Sequence, residues 1–246
     1  LDRGYMETAL RAYNNVPLAL TSEENQRCLD CYEKGLELAR KVGDVYNQSL
    51  LGFNLAGMHF NMGNIDKAVR MAAETVALDR KTGNIFHLYT SASALGYAYQ
   101  IIGEMEKSEQ CFKEALSVSR QLSDFQAIAG GYDYLALSHF DKGDYVKAKE
   151  CFEKMSQIYE KIGAKAYQIS DSQWIAMNYI ELGEIDKART LLDDMHKFAH
   201  EKQDKQLIAN EDATRAMLLR AEKKWNQSIE LFEKSLQEYE ALGARQ

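Results

Sequence analysis

The side chains with capacity for chemistry are few, and each sits in a recurring position. Cys28 and Cys31 form a Cys-x-x-Cys pair, the spacing of metal and redox sites, yet no second pair exists to complete a four-cysteine zinc centre. Cys31, Cys111 and Cys151 differ by multiples of 40 and share their place with Met71, Leu191 and Leu231. That is an apolar packing position, with thiols expected to be reduced. His196 and His200 stand one helical turn apart, a zinc-ligand spacing, but no HExxH string or third ligand accompanies them. His59 and His139 alternate with Tyr99 and Tyr179 in steps of 40, which reads as a packed ring position and not a catalytic one. No phosphate loop, dinucleotide-binding glycine turn or nucleophile elbow is present. The expectation is a chain that is not an enzyme, with no catalytic residue, metal or cofactor.

Composition narrows the classes further. Of 246 residues, 46% are hydrophobic and 27% charged, which describes a folded chain. The single proline, Pro17, disfavours a β-rich domain with its many turns. A net charge of −7 argues against a surface that tracks phosphates, so no nucleic acid is expected. No run of 18 apolar residues exists to span a membrane, and no secretory signal is visible. A cytoplasmic setting is expected. Because the first residue is Leu1, the sequence reads as a piece of a longer protein.

The elements that hold these residues come from an internal period. Gly63, Gly103, Gly143 and Gly183 each precede a short x-φ-x-K-A-like string and step by 40, with Lys223 keeping the pattern without the glycine. A second series, VGD at 42–44, TGN at 82–84, LSD at 122–124, IGA at 162–164, KQD at 202–204 and LGA at 242–244, keeps the same step. A glycine after a helix closes the last turn in the left-handed conformation. Each unit therefore holds two helices, the first near 45–61, 85–101, 125–141, 165–181 and 205–221. The second helices fall near 24–41, 65–81, 105–121, 145–161, 185–201 and 225–241. Small residues open the second helices at Ala68, Ser108, Ala148, Ala188 and Ser228, followed four positions on by Ala72, Phe112, Phe152, Leu192 and Phe232. The first helices carry Leu55–Ala56, Leu95–Gly96, Leu135–Ala136 and Ile175–Ala176, with a ring three residues later in most units. These are the spacings of packed helix faces. Ahead of the repeats, Tyr5, Leu10 and Tyr13 are expected to line a short or irregular helix that Pro17 stops, and Thr21 with Glu24 forms a capping box.

At these residues the chain resembles the tetratricopeptide repeat family, in its subgroup with long units of 40 residues. That subgroup includes GoLoco-binding polarity adaptors, MalT-type regulators and peptide-sensing bacterial regulators. The chain lacks the family's usual tryptophan and proline. The resemblance implies an all-α, right-handed α-solenoid of antiparallel helix pairs. It would form a single array over 1–246, with a partial unit at 1–44 and full units at 45–84, 85–124, 125–164, 165–204 and 205–244.

Charge is unevenly shared between the two kinds of helix. Segments 45–61 and 85–101 contain no Asp, Glu, Lys or Arg, and 125–141 holds only Asp133 and Asp141. Such helices are sheltered on most sides, with the charged second helices on the wet outer wall. The family binds ligands along the inner wall. The resemblance therefore points to Phe53, Asn54, Gly57 and Phe60; Ser93, Tyr97 and Gln100; Asp133, Tyr134, Leu137 and Phe140; Gln173, Trp174, Met177 and Ile180; and Met217, beside Ala213 and Arg220. With no Lys or Arg on these helices before Lys165, a carboxylate clamp for chaperone tails is not expected. Asp133, Asp141, Asp171 and Glu181 favour a partner with a basic end.

The expected function is a non-enzymatic protein-interaction scaffold that takes a peptide or helix with an apolar face. The alternative is a ligand-sensing domain of a larger signalling ATPase or transcription regulator. Leu242–Gly243 ends the last helix with no polar helix after it, so self-association through that face is also expected.

Overall fold

A computed structural model describes residues 3–19 and 24–243. Among the described residues there are helices and short turns and no strand. After α1 (Arg3–Asn15) and a 3-10 turn (Val16–Ala19) come α2 (Asn25–Val42), α3 (Val45–Asn61), α4 (Ile65–Thr82), α5 (Ile85–Ile101) and α6 (Met105–Leu122). Then follow α7 (Phe125–Asp141), α8 (Tyr145–Ile162), α9 (Lys165–Ser170), α10 (Ser172–Glu181), α11 (Ile185–Lys202), α12 (Lys205–Ala221) and α13 (Trp225–Ala241). The helix pairs fall where the 40-residue period places them.

The turns set that period. From residue 43 to residue 243 a left-handed residue recurs every twenty positions: a glycine in most cases, but Ser123 at φ 55, Gln203 at φ 53 and Lys223 at φ 64. At the end of α3, the Gly63 N–H donates to Phe60 O (2.9 Å) and the Asn64 N–H to His59 O (2.8 Å). This pairing satisfies carbonyls that the helix end would otherwise leave open. The helices that follow are capped by aspartates at the matching position. Asp44, Asp124 and Asp204 accept the N–H of Asn47, Ala127 and Leu207, each at 3.0 Å.

The chain divides into two compact units, Leu1–Ala127 and Ile128–Gln246. In the first, Leu10, Leu29, Tyr32, Leu36 and Leu51 form one cluster, and Ala72, Val76, Leu88, Leu95 and Cys111 another. In the second, Ala136, Ala148, Phe152, Met155 and Ile175 form a cluster, followed by Ala176, Ala188, Leu192, Met195 and Leu218. The small residues opening the second helices are all buried, as their spacing predicts. Beyond the core, α4 and α6 are tied by Arg80, which donates to Glu114 at 2.7 and 2.5 Å. Arg40 and Glu74 make a longer contact of 3.4 Å in the same register, one repeat earlier. Exposed pairs of this kind add ~0–1 kcal/mol each.

Four local expectations are corrected. The N-terminal segment is a regular helix, with Leu10 buried, while Tyr5 is 75% exposed and lines no packed face. Gly35 is what lets α1 dock, since a Cβ there would lie 2.8 Å from Tyr13 Cβ. The first helix of 165–204 is broken at Asp171. There the Ser172 hydroxyl donates to Gln168 O at 2.9 Å across the break. Phe232, assigned to a packed position, is 37% exposed, because among the described residues no helix follows α13 to cover it. Thr21 of the proposed capping box lies outside the described residues, and Glu24 makes no side-chain cap bond.

Since a left-handed residue with a Cβ carries strain, Gln203→Gly and Lys223→Gly should each raise stability by roughly 0.5–1 kcal/mol. Gly163→Ala, at φ 69, should lower it by about 1–2 kcal/mol. Urea titrations of the three variants against the parent chain check both signs.

Candidate functional site

In the first unit the candidate site is built by α3 and α5 over the start of α4. Phe53, Gly57 and Phe60 project from α3 and Tyr97 from α5, with Phe60 and Tyr97 rings 5.8 Å apart and tilted by 51°. Together with Ala56, Asn61, Ala68, Ala72, Ala94 and Ala98 they line an open pocket of about 160 Å³. Its lining is neutral, and Tyr97 stands 50% exposed at its edge. A Cβ added at Gly57 would meet nothing within 4 Å, so the space beside it is free. Asn54 differs from the expectation of an open contact, because its Nδ2 donates to Asn14 Oδ1 of α1 at 2.8 Å.

In the second unit, α7, α8 and the bend between α9 and α10 bring two carboxyls together. Burial pushes Asp133 up to about 7, with the Asp171 charge adding to the effect. Burial raises Asp171 to about 6, against a lowering hydrogen bond from Tyr159. The Tyr159 ring stacks on Tyr167 at 5.9 Å and 17°, and burial with the two nearby carboxyls raises its hydroxyl well above the ordinary tyrosine value. Asp133 Oδ1 is buried with no hydrogen-bond partner among the described residues. Burial favours the neutral form of this carboxyl, and its Oδ1 lacks a donor. Leu137, Phe140 and Trp174 pack against the core beside it, with the Phe140 and Trp174 rings 6.4 Å apart.

Two of the positions taken from the resemblance point inward. Ser93 is buried and its hydroxyl donates to Tyr89 O at 2.8 Å on its own helix, so it offers nothing to a partner. Ile180 is buried in the core with Leu192 and Met195. Met217 packs partly on that same cluster. Gln100, Tyr134, Gln173 and Met177 are half-buried. Tyr159 was not visible as a site residue, because it sits on a second helix in a place whose spacing reads only as core.

Other clusters were also placed. The imidazoles of His196 and His200 lie 4.2 Å apart, and His196 Nδ1 is 3.0 Å from the buried Glu211, which also pairs with Arg215. This is an ion-pair network between α11 and α12. Among the described residues no group of three His, Cys, Asp or Glu could hold a metal ion. All four cysteines are free. A larger cleft of about 300 Å³ between α9 and α11 is rimmed by Lys165, Lys197, Asp194 and Glu201. Its mixed charges sit on long side chains and form no directed constellation.

Comparison with known proteins agrees with this architecture. Residues 46–121 match the tetratricopeptide repeat family. No curated protein matches the chain by sequence. Among solved structures, the chain is similar to the TPR-like repeats of a putative kinesin light chain from Podosopora anserina. The TM-score is 0.65 at 16% identity, covering 79% of this chain and 95% of that one. It is similar to a STAND signal-transduction ATPase with a tetratricopeptide repeat sensor from Pyrococcus horikoshii, at TM-score 0.74 and 19% identity. There it covers 94% of this chain but 36% of that one. It is also similar to a Rap conjugation gene regulator in complex with a Phr peptide, at TM-score 0.66 and 14% identity, covering 90% and 60% of the two chains. The fold is that of TPR-like helical repeats.

The Asp133 carboxyl gives the site a pH signature. Its value is raised from 3.8 in the unfolded chain to about 7, so the folded state binds the extra proton between those limits. Stability from this group is full at the acid end and is lost as pH rises through about 7. Thermal melts of Asp133→Asn and the parent chain should therefore diverge over that window, the variant being the more stable at the alkaline end. The gap accumulates at ~1.4 kcal/mol per pH unit of displacement. Parallel melting curves across the window would refute the assignment.

Proposed function

We propose that the chain is a peptide-binding scaffold that holds its partner on the faces of its first helices. The observation that carries this reading is that each unit holds half-exposed aromatic and apolar side chains on helices with almost no charge, α3 and α5 in the first and α7 and α10 in the second. An exposed apolar stripe on a preformed wall suits an extended peptide or a helix with spaced apolar anchors. In the first unit the face is neutral, and it takes an apolar segment. In the second, Asp133, whose Oδ1 has no donor, with Asp171 takes a Lys or Arg side chain, which would supply the missing donor. The Rap regulator's peptide complex supports a peptide as partner. No helix among the described residues is long and apolar enough to cross a membrane.

A second reading, a ligand-sensing domain of a larger regulator, draws on the likeness to the STAND protein's sensor. It uses the same faces and differs in what is joined to them.

The test begins with a peptide selected for binding from a random pool. Tyr97→Ala, Leu137→Ala and Trp174→Ala should each weaken it by about 1–3 kcal/mol, with melts showing that the fold survives. Asp133→Asn should weaken a peptide bearing Arg or Lys and leave its neutral counterpart unchanged. Affinities unaltered in all three alanine variants would remove the proposal.

The last helix supports self-association as well. Trp225, Ile229, Phe232 and Leu236 follow one another along one side of α13 and are 58%, 56%, 37% and 45% exposed. We expect copies to pair through this stripe at high concentration, and Ile229→Glu with Phe232→Glu to leave a monomer. Sedimentation showing a strict monomer for the unaltered chain would count against it.

A further inference from the structure

The pocket between α3, α4 and α5 is a defect in an otherwise regular repeat, and its shape says what fills it. Its walls at Gly57, Ala72 and Ala94 correspond, two repeats further on, to Leu137, Phe152 and Trp174. In the second unit those three large side chains pack together: Phe152 is 1% exposed, with Leu137 and Trp174 against the same cluster. In the first unit the same register positions hold a glycine and two alanines, and the space of about 160 Å³ is what they leave open. Phe53 and Tyr97, larger than their counterparts Asp133 and Met177, ring the space without closing it, and Ala56 and Ala68 are as small as Ala136 and Ala148.

Charge settles the chemistry of the occupant. Neither α3 nor α5 carries an Asp, Glu, Lys or Arg, and the pocket lining contains none. A charged group entering it would shed water and find no counter-ion. Asn61 is the one amide in the lining, beside the Phe53, Phe60 and Tyr97 rings, so a neutral aromatic with one polar edge fits. Apolar cavities of ~150 Å³ take up benzene-sized ligands.

We propose that this pocket is an anchor site for one aromatic side chain of the partner, an indole or phenol, which completes from outside the packing that Leu137, Phe152 and Trp174 complete from within. This rests on the reading of the first-helix faces as a peptide site, and it names the residue class that the peptide must supply.

The probe is indole itself, titrated into the full chain labelled at its alanine methyls. Ala56, Ala72, Ala94 and Ala98 should shift in a saturable manner, while Ala148 and Ala188 of the second unit stay in place. Gly57→Leu fills the pocket where a side chain meets nothing within 4 Å, so it should fold and should weaken indole at least about tenfold. Ala94→Trp is the second filling variant and should do the same. Methyls that do not move with indole, or that move equally in both filled variants, overturn the proposal. The selected peptide separates this result from the broader reading. A peptide still sensitive to Tyr97→Ala without any indole response sinks the pocket alone. An indole response with no peptide that binds sinks the scaffold reading and leaves the pocket.

Discussion

The structure depends on one backbone constraint: a left-handed turn residue at a fixed interval of twenty. With helices of 17 or 18 residues between turns, every position becomes equivalent to the one 40 residues away. Glycine relieves the strain of that conformation but does not cause it. Ser123, Gln203 and Lys223 adopt it with a Cβ, at a cost of ~1–2 kcal/mol each. They do so because the helices on either side are already fixed by their packing. The turn conformation is thus kept even where glycine is absent, and glycine only lowers its cost.

Because the period is strict, most of the fold was legible in the sequence. The helix limits, the pairing of helices and the small residues at Ala68, Ser108, Ala148, Ala188 and Ser228 all follow from counting. What escaped counting is what differs between equivalent positions. Ser93 occupies the place that Phe53 holds, yet its hydroxyl bonds to Tyr89 O of its own helix, so burial leaves no polar group unsatisfied. On a helix as uniformly apolar as α5, no polar face tells which side is covered. The break at Asp171, next to the Ser172 hydroxyl bonded to Gln168 O, is one that no periodic pattern registers.

The candidate site divides in the same way. The aromatic stripe was visible through the resemblance, whereas the character of each half was not. Asp133 stands in the sequence as one acid on a nearly neutral helix. Only the fold shows it facing Asp171 with Tyr159 behind, where desolvation outweighs the hydroxyl's help and both carboxyls rise. Charged groups on second helices behave differently. Arg80 and Glu114 meet at the surface in water, where their attraction is screened and their contribution small.

The two units therefore depart from the repeat in opposite senses. The second fills its packing positions with Leu137, Phe152 and Trp174 and buries a carboxyl oxygen of Asp133 that has no donor. The first keeps charge out of its pocket lining but leaves the corresponding positions to Gly57, Ala72 and Ala94. Burying a large apolar side chain contributes roughly 1.5–3 kcal/mol, so the first unit forgoes that much for each position it leaves small. A fully packed repeat was within reach of the same backbone, as the second unit demonstrates with its own residues. A carboxyl oxygen without a donor in one unit and an unfilled apolar space in the other are both deficits that a side chain supplied from outside would relieve. Relief of that kind adds to affinity more than a contact made on an already satisfied surface.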